Sequence, residues 1–325
     1  MSDRIELFKE FYVNSDNVAD IDPSIWLLNY VIDRMEMNDQ QVLWLCFLNA
    51  VTYHVPTALV IWNEFPDLEC AGIERLTEWW GKETQLRLPF QTDKLKQRKH
   101  LPETVASYKA MVCGDQKAYF DGLLNSTPEQ NFETLWTEAY KPIKQFGRFS
   151  VWNWAQTLKQ VAGYDIEPTN LFLGERNAES ITHGACWVLG KEEDWAYKRR
   201  WKDEHGKKHK EVHVFSESEK TTLEDGIRQV MDELRQEYPE VLVDAFNVET
   251  MLCAFKKLFR QRDSRYVGYY LDRQAIDIHK TSSNGWYGVE WKLLWDARRE
   301  LLDANMINDK IQTHRYKSDV QEKIQ

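Results

Sequence analysis

Apolar residues recur every three or four positions along most of this 325-residue chain, the spacing that one buried face of an α-helix requires. Pro56, Pro102 and Pro128 stand where a helix can begin without needing their missing N–H groups. The pattern predicts helices at 25–35, 41–53, 56–64, 73–80, 102–112, 128–140, 151–162, 178–189, 222–237, 248–260, 265–280 and 289–305. We therefore expect a mostly α protein.

Strand-like alternation is scarce, and Glu211–Phe215 is its best example. The basic stretch Lys198–Lys210 predicts a short β-hairpin or loop that turns at His205-Gly206. We expect four regions: a helical body over 1–190 that includes the central turn at 141–165, a basic excursion at 191–221, a C-terminal helical segment at 222–309 that packs on the same core, and a polar tail at 310–325.

The central turn is the most informative segment, and it reads Lys-Pro-Ile-Lys-Gln-Phe-Gly-Arg-Phe-Ser over 141–150. It predicts one helix, a tight turn at Gly147 and a second helix. The free N–H groups and the positive dipole end of a helix start favour an anion. We predict that Gly147, Arg148, Ser150 and Lys144 bind a DNA phosphate, although a glycine at a helix start is often only structural.

The net charge of the chain limits how much of its surface could bind nucleic acid. The net charge is −10, which excludes a surface coated with phosphate-binding groups. Basic residues nonetheless form local clusters, of which the densest begins with Lys198, Arg199 and Arg200. A charged stretch is usually a solvated face, but in an acidic chain this one predicts a DNA-binding strip. Most of the 14 tryptophans are expected in the core, with some free to stack on bases.

Several classes of site are disfavoured. Five widely spaced cysteines without a Cys-x-x-Cys pair are typical of a reducing cytosol. The amino terminus shows no leader sequence, and no apolar run approaches the length of a membrane span. P-loop, dinucleotide-binding, nucleophile-elbow and zincin motifs are absent. We expect a cytoplasmic protein with no membrane partner, no metal and no cofactor.

Carboxylates follow the second helix of the central turn. Asp165 and Glu167 lie in the loop after it, and Glu175-Arg176 comes next. An alternative is that this loop only caps the next helix. The functional interpretation makes Asp165 a general base beside bound DNA and places Arg176 in a pocket for the base or the donor.

A second polar constellation lies near the C-terminus. In Arg265–Ile278, the residues Tyr269, Tyr270, Arg273 and Asp277 fall on adjoining faces of a predicted helix. They predict either a buried network or a polar pocket. In the second case Tyr269, Arg273 and Asp277 are catalytic candidates, and Tyr270 lines the pocket.

A third polar constellation flanks the helix predicted at 56–64. Tyr53 precedes this helix, and Asn63 and Glu64 end it. Polar residues at a helix end are usually just exposed. The local density of aromatic and amide groups also allows a pocket for a base or a donor molecule.

The central turn, the helix after it and Asp165 resemble the helix-hairpin-helix DNA glycosylase pattern, in which a glycine hairpin grips a phosphate and an aspartate follows. The spacing from Gly147 to Asp165 is 18 residues. The usual Gly-x-Gly appears here as Gln145-Phe146-Gly147, so the match is loose. The resemblance implies a helix-hairpin-helix glycosylase-like helical core.

A closer resemblance covers most of the chain. Phage proteins of thymidine hypermodification, the α-glutamyl/putrescinyl thymine pyrophosphorylases and amino acid:DNA transferases, are similar at Ile21–Arg34, Ile61–Asp67, Phe146–Ser150 and Gly268–Arg273. The resemblance implies that the chain replaces the pyrophosphate of 5-(pyrophosphomethyl)uracil in duplex DNA with an amino acid or a polyamine. It also implies a preceding DNA base kinase and an infected host cell.

The implied reaction assigns roles to the candidates. The modified base is expected to flip out of the duplex. Arg148, Arg176 or Arg273 would stabilise the leaving pyrophosphate, and Asp165 or Asp277 would take a proton from the incoming amine. Two alternatives stay open: a true glycosylase that uses Asp165 to excise a base, and a helical DNA-binding module without catalysis.

Overall fold

A computed structural model gives the structure at residues 2–82, 87–91, 94–175, 178–195, 199–211, 213–258, 264–285 and 288–303. In chain order the elements are α1 (Ser2–Asn17), α2 (Pro23–Arg34), α3 (Asp39–Thr52), α4 (Val55–Glu64), a 3-10 turn (Leu68–Cys70), α5 (Ile73–Trp80), α6 (Leu95–Lys99), α7 (Leu101–Val112), α8 (Gln116–Leu123), α9 (Pro128–Tyr140), α10 (Arg148–Gln160), α11 (Glu179–Val188), α12 (Glu192–Trp195), β1 (Arg199–Lys202), β2 (Lys208–Glu211), α13 (Glu217–Glu237), α14 (Ala245–Leu258), α15 (Tyr269–Ser282) and α16 (Trp291–Leu301).

The prediction of a mostly α fold is confirmed, and most helix ends lie within three residues of their predicted positions. Asn38 caps α3 through its side chain, in a capping box with Gln41. Helix α13 begins at Glu217, five residues before its predicted start. A capping box between Ser216 and Glu219 fixes this start; the predicted start at 222 left out this polar first turn. No helix in the described part of the chain is long and apolar enough to cross a membrane.

The basic excursion contains the predicted hairpin. Strands β1 and β2 pair antiparallel from Arg199↔Glu211 to Lys202↔Lys208, and Gly206 in the connection has φ +75°. Of the predicted strand at 211–215, Glu211 lies in β2, and the prediction was wrong for 213–215, which are not in a strand.

The chain forms two compact units, and the boundary after Leu271 falls inside α15. The first unit contains the described residues of 1–22 and 170–271, and the second unit contains those of 23–169 and 272–311. Each unit therefore joins segments that are distant in sequence. The four regions drawn along the chain stay a prediction.

Close packing of α11 on α14 organises the first unit. A Cβ added at Gly184 of α11 would lie 2.1 Å from the carbonyl oxygen of Leu252 in α14. Only glycine allows two helix backbones to approach this closely. Around this pair lie α1 and α13, where Lys9 forms an ion pair 2.8 Å from Glu237.

Helix α3 is the centre of the second unit. It is buried from Leu43 to Thr52 and packs on α10. Aromatic rings fill the interface: Phe47 stacks 3.7 Å from Tyr108 and meets Trp154 edge-on at 5.7 Å. This core fixes where α3 ends and where α10 begins, and those two points hold the candidate site.

Candidate active site and DNA contact

The predicted helix, turn and helix are present at the centre of the chain. Helix α9 ends at Tyr140, and α10 begins after Gly147, which is its N-cap residue. No side chain caps this end of α10. A Cβ at Gly147 would meet no atom within 4 Å, so the helix start faces open space. An uncapped helix start of this kind can receive an anion.

Two buried apolar side chains anchor the turn to the core, and its two lysines are exposed. Ile143 and Phe146 are each 2% exposed, and the Phe146 ring packs 5.6 Å from Phe47. Lys141 and Lys144 are exposed. The backbone of Lys144 is fixed, because its N–H donates to the Ser107 hydroxyl and its carbonyl accepts from Thr104.

The first turn of α10 carries one arginine and is adjacent to one buried lysine. The Arg148 guanidinium lies 5.3 Å from the centre of the Trp136 ring. Lys94 is fully buried, with its Nζ 4.5 Å over the Phe149 ring and 2.7 Å from the Ser150 hydroxyl. Two cations therefore approach this helix start, and Lys94 was not singled out from the sequence.

Ser150 is oriented differently from the sequence prediction. Its side chain is 1% exposed, and its hydroxyl accepts hydrogen bonds from Lys94 Nζ and from Gln97 Nε2 at 3.2 Å. Its backbone N–H donates to the Gly147 carbonyl. The side chain therefore faces Lys94 and not the outside of the turn.

The end of α3 meets the start of α10. Tyr53 ends α3 in a left-handed conformation, φ +45°, and its ring packs edge-on 5.5 Å from Phe149. This contact places the predicted pocket residue Tyr53 beside the turn. It also places the next residue, His54, at the same end of the second unit.

His54, Asp277 and Arg273 form a polar cluster there. His54 Nε2 lies 3.6 Å from Asp277 Oδ1, and Arg273 Nε lies 3.4 Å from the same oxygen. His54 is 6% exposed, Asp277 is half-buried and Arg273 is exposed. The predicted pair Arg273 and Asp277 thus acquires a third member that the sequence analysis did not select.

Two buried amides lie one helical turn below the Tyr53–Phe149 contact. Asn49 precedes Tyr53 by four residues, and Asn153 follows Phe149 by four. Both are at most 2% exposed, and neither Asn49 amide atom nor Asn153 Oδ1 has a hydrogen-bond partner among protein groups. Buried polar groups without partners are rare and often mark sites for a ligand or for water.

Asp165 lies at the other end of α10. This helix has 13 residues and is therefore about 20 Å long, so Asp165 is remote from Gly147 and Arg148. Asp165 is exposed, and its backbone carbonyl accepts from Asn131 at 2.8 Å. The neighbouring Glu167 pairs with Lys159. The structure therefore separates this carboxylate from the His54 cluster.

The remaining pocket candidates of the second unit lie beyond α4. His54 caps the start of α4, and Asn63 and Glu64 end it, about 14 Å along the helix. Glu64 pairs with Arg75 at 3.1 Å. Asn63 borders a groove of about 310 Å³ between α2, α4 and α16, lined mostly by aliphatic side chains. These two residues do not join the His54 cluster.

Tyr269 and Tyr270 belong to the first unit. The guanidinium of Arg265 lies 4.0 Å from the Tyr269 ring centre and 5.2 Å from that of Tyr270. Burial raises the pKa of the Tyr270 hydroxyl, which therefore stays protonated at neutral pH. Asp20 accepts hydrogen bonds from the N–H groups of Gly268 and Leu271. The arrangement is a well-paired network at a helix start.

Two of the predicted contacts, Lys198 and Arg176, lie outside the described residues. Arg199 and Arg200 are in β1, and the described structure extends to their backbone. No group of three or more His, Cys, Asp or Glu side chains that could hold a metal ion occurs among the residues whose structure is described.

Comparison with known proteins identifies the family. A family model described as amino acid:DNA transferase matches residues 16–264, more than half of the chain. The chain belongs to the amino acid:DNA transferase family. It is also similar to the serinyltransferase of Salmonella phage ViI, with 27% identity over 320 residues that cover 94% of this chain and 76% of that protein. No solved structure matches the chain.

Membership of the amino acid:DNA transferase family makes the protein a DNA-modifying transferase with DNA and an amino acid as substrates. Such a reaction requires a place for the DNA backbone and a group that accepts a proton. In the second unit, the uncapped start of α10 and the half-buried Asp277 are the candidates for these two parts. His54 and Lys94 were not chosen as site residues, because their contacts with Asp277 and Ser150 join segments that are far apart in the sequence.

Proposed function

We propose that this amino acid:DNA transferase displaces pyrophosphate from 5-(pyrophosphomethyl)uracil in DNA with an amino acid. One observation carries the proposal, a continuous series of contacts in the second unit. It runs from the start of α10 through the Phe149 and Tyr53 rings to His54 and Asp277. These contacts support a phosphate site and a proton acceptor at the same end of one compact unit.

The DNA backbone is assigned to the start of α10. The uncapped helix start and its positive dipole end favour a phosphate. Arg148 begins this helix, Lys141 and Lys144 are exposed in the turn before it, and the buried Lys94 contacts Ser150 in its first turn. Further backbone contacts are assigned to Lys198, Arg199 and Arg200, since phosphate contacts position a protein on DNA.

Asp277 and Arg273 supply the proton acceptor and the positive charge that the displacement requires. The bond between the exocyclic carbon on C5 and the pyrophosphate oxygen breaks, and that carbon bonds to the nucleophilic atom of the amino acid. The electron pair leaves with pyrophosphate, whose developing charge Arg273 stabilises. The proton that the nucleophile loses goes to Asp277. In this assignment Asp165, at the far end of α10, takes no part.

The modified base must leave the stack for this attack. Bases that enzymes modify are commonly flipped out of the duplex into a pocket, and aromatic rings such as Tyr53 can stack on them. A DNA base kinase must act first to install the pyrophosphate. Tyr270, Asn63, Glu64 and Arg176 stay predicted contacts of the base or the donor, and Tyr269 stays a predicted catalytic residue. The reaction would take place in the cytoplasm of the infected host cell.

Serine is the first donor to test, because the viral relative is named a serinyltransferase. The test incubates the protein with kinase-treated DNA that contains 5-hydroxymethyluracil, using serine, other amino acids and polyamines in separate reactions. Mass spectrometry of the digested nucleosides then identifies the product. Fragmentation of a serine product shows whether its amino group or its hydroxyl is joined to the base.

A nucleoside in which an amino acid has replaced pyrophosphate supports the proposal. Free base with abasic sites would contradict it and identify a glycosylase. Unchanged DNA, with the pyrophosphate still attached after incubation with every donor, would also contradict it. A polyamine product would retain the displacement chemistry and change the donor.

A further inference from the structure

The two ring nitrogens of His54 have different surroundings. Nδ1 accepts a hydrogen bond from the Thr57 backbone N–H at 3.2 Å and so caps the start of α4. A nitrogen that accepts carries no proton, so in the neutral ring the proton is on Nε2. The helix start therefore selects the tautomer and fixes the plane of the ring.

The protonated nitrogen faces a carboxylate. Nε2 is buried without a hydrogen-bond partner in the described structure, and Asp277 Oδ1 lies 3.6 Å away. Arg273 Nε approaches this same oxygen at 3.4 Å. Contacts in a site without substrate are often slightly long and tighten when the substrate binds. Both nitrogens lie nearest to Oδ1, which leaves Oδ2 to receive a proton.

We propose that His54 is a positioning residue that holds Asp277 with Oδ2 directed at the nucleophile. The inference rests on the proposed role of Asp277 as proton acceptor. A rigid imidazole fixed by a helix cap is a suitable support, because a small displacement of a reacting group costs a large factor in rate. His54 itself transfers no proton to or from the substrate in this scheme.

Two substitutions test the roles of the two His54 ring nitrogens separately. In His54→Asn, the amide oxygen can take the place of Nδ1, since asparagine is a preferred N-cap, and nothing replaces Nε2. In His54→Gln, the longer side chain can bring an N–H to the position of Nε2, and the cap is lost. Thr127→Asn, at the start of α9, is the matched exchange of a cap at a different helix.

The measurements are kcat and KM for pyrophosphorylated DNA, together with Tm. His54→Asn is expected to keep its Tm and to lose between about 10- and 100-fold in kcat, with KM for DNA changed less than about twofold. His54→Gln is expected to lose about 2–4 °C in Tm and to retain more activity than His54→Asn. Thr127→Asn should leave both properties unchanged.

Full activity of His54→Asn would overturn the inference and leave His54 as a helix cap only. A fall in the Tm of His54→Asn that accounts for its loss of activity would also overturn the inference, because the activity would then be lost through unfolding. Asp277→Asn separates this failure from failure of the proposed function. If Asp277→Asn is fully active, the proposed proton acceptor is wrong whatever His54 does. If it is inactive while His54→Asn is active, only the inference about His54 fails.

Discussion

The two units differ in how completely their polar side chains are paired within the protein. In the first unit, Lys9 forms an ion pair with Glu237, Asp20 accepts hydrogen bonds from two backbone N–H groups, and the Arg265 guanidinium lies over two tyrosine rings. In the second unit, His54 Nε2, Asn153 Oδ1 and both Asn49 amide atoms lie buried without a hydrogen-bond partner in the described structure.

The number of buried polar atoms without a hydrogen-bond partner, counted over the described residues, shows the same difference between the units. Of the buried side-chain atoms without a hydrogen-bond partner, two belong to the first unit and seven to the second. Those of the first unit are Ser15 Oγ and Glu192 Oε2; those of the second are Asn49 Nδ2, Asn49 Oδ1, His54 Nε2, Trp62 Nε1, Gln97 Oε1, Asn153 Oδ1 and Trp154 Nε1. Since leaving such groups unpaired is costly, the second unit holds polar capacity that folding alone does not use. Function is a reason to retain it.

The close helix contact in the first unit gives the largest expected effect on stability. Gly184→Ala would drive a Cβ into the Leu252 carbonyl and should lower the free energy of unfolding by about 3 kcal/mol. Gly122→Ala, in α8 of the second unit, meets no atom within 4 Å and should raise it by about 0.5–1 kcal/mol. Denaturant unfolding measures both. Equal effects would mean that the two glycines are equivalent and that α11 and α14 do not depend on close approach.

A pair of buried asparagines tests the difference in polar pairing. Asn247 in the first unit donates to the Leu242 carbonyl, so Asn247→Leu should cost about 1–3 kcal/mol of stability. Asn49→Leu in the second unit removes an unpaired amide and should stabilise by about 1 kcal/mol. We expect the same Asn49 variant to lose transfer activity. If Asn49→Leu destabilises as much as Asn247→Leu, the contrast between the units disappears.

Two arginines test where DNA binds. Arg148→Ala should weaken DNA binding and lower the slope of log affinity against log salt concentration by about one. Arg265→Ala, in the tyrosine network of the first unit, should leave this slope unchanged. Binding titrations at several salt concentrations measure it. A changed slope for Arg265 alone would move the phosphate site out of the second unit.

The smallest effect is expected at a left-handed backbone position in each unit. The first unit places a glycine there, Gly268 with φ +94°, whereas the turn before α10 places Gln145 at φ +58°. Gln145→Gly should therefore stabilise by up to about 1 kcal/mol without lowering transfer activity. A destabilising Gln145→Gly would show that its side chain contributes more than the strained backbone costs.

The sequence predicted twelve of the described helices, because a period near 3.6 is local information, and it missed α1, α6, α8 and α12. It also located the turn at Gly147 and the pair Arg273 and Asp277. The sequence could not predict that the turn and this pair lie at the same end of the second unit. Their proximity depends on packing of α3 against α10 and on contacts between segments more than 100 residues apart. The same limit explains why Asp165, close to Gly147 in sequence, lies a helix length away from it.

Cysteine chemistry illustrates the same point. The sequence shows five cysteines but not their surroundings. In the structure Cys46 is fully buried in α3, and burial raises the pKa of its thiol to about 12. It is therefore not a nucleophile at neutral pH, which only the packing of α3 reveals.

Transfer activity of Asp277→Asn, compared with Asp165→Asn under single-turnover conditions, tests the central claim most directly. The account predicts that Asp277→Asn lowers the rate of product formation by roughly 10²–10⁴-fold while DNA binding is retained, and that Asp165→Asn stays near the unmodified rate. An active Asp277→Asn beside an inactive Asp165→Asn would contradict it and move the chemistry to the far end of α10.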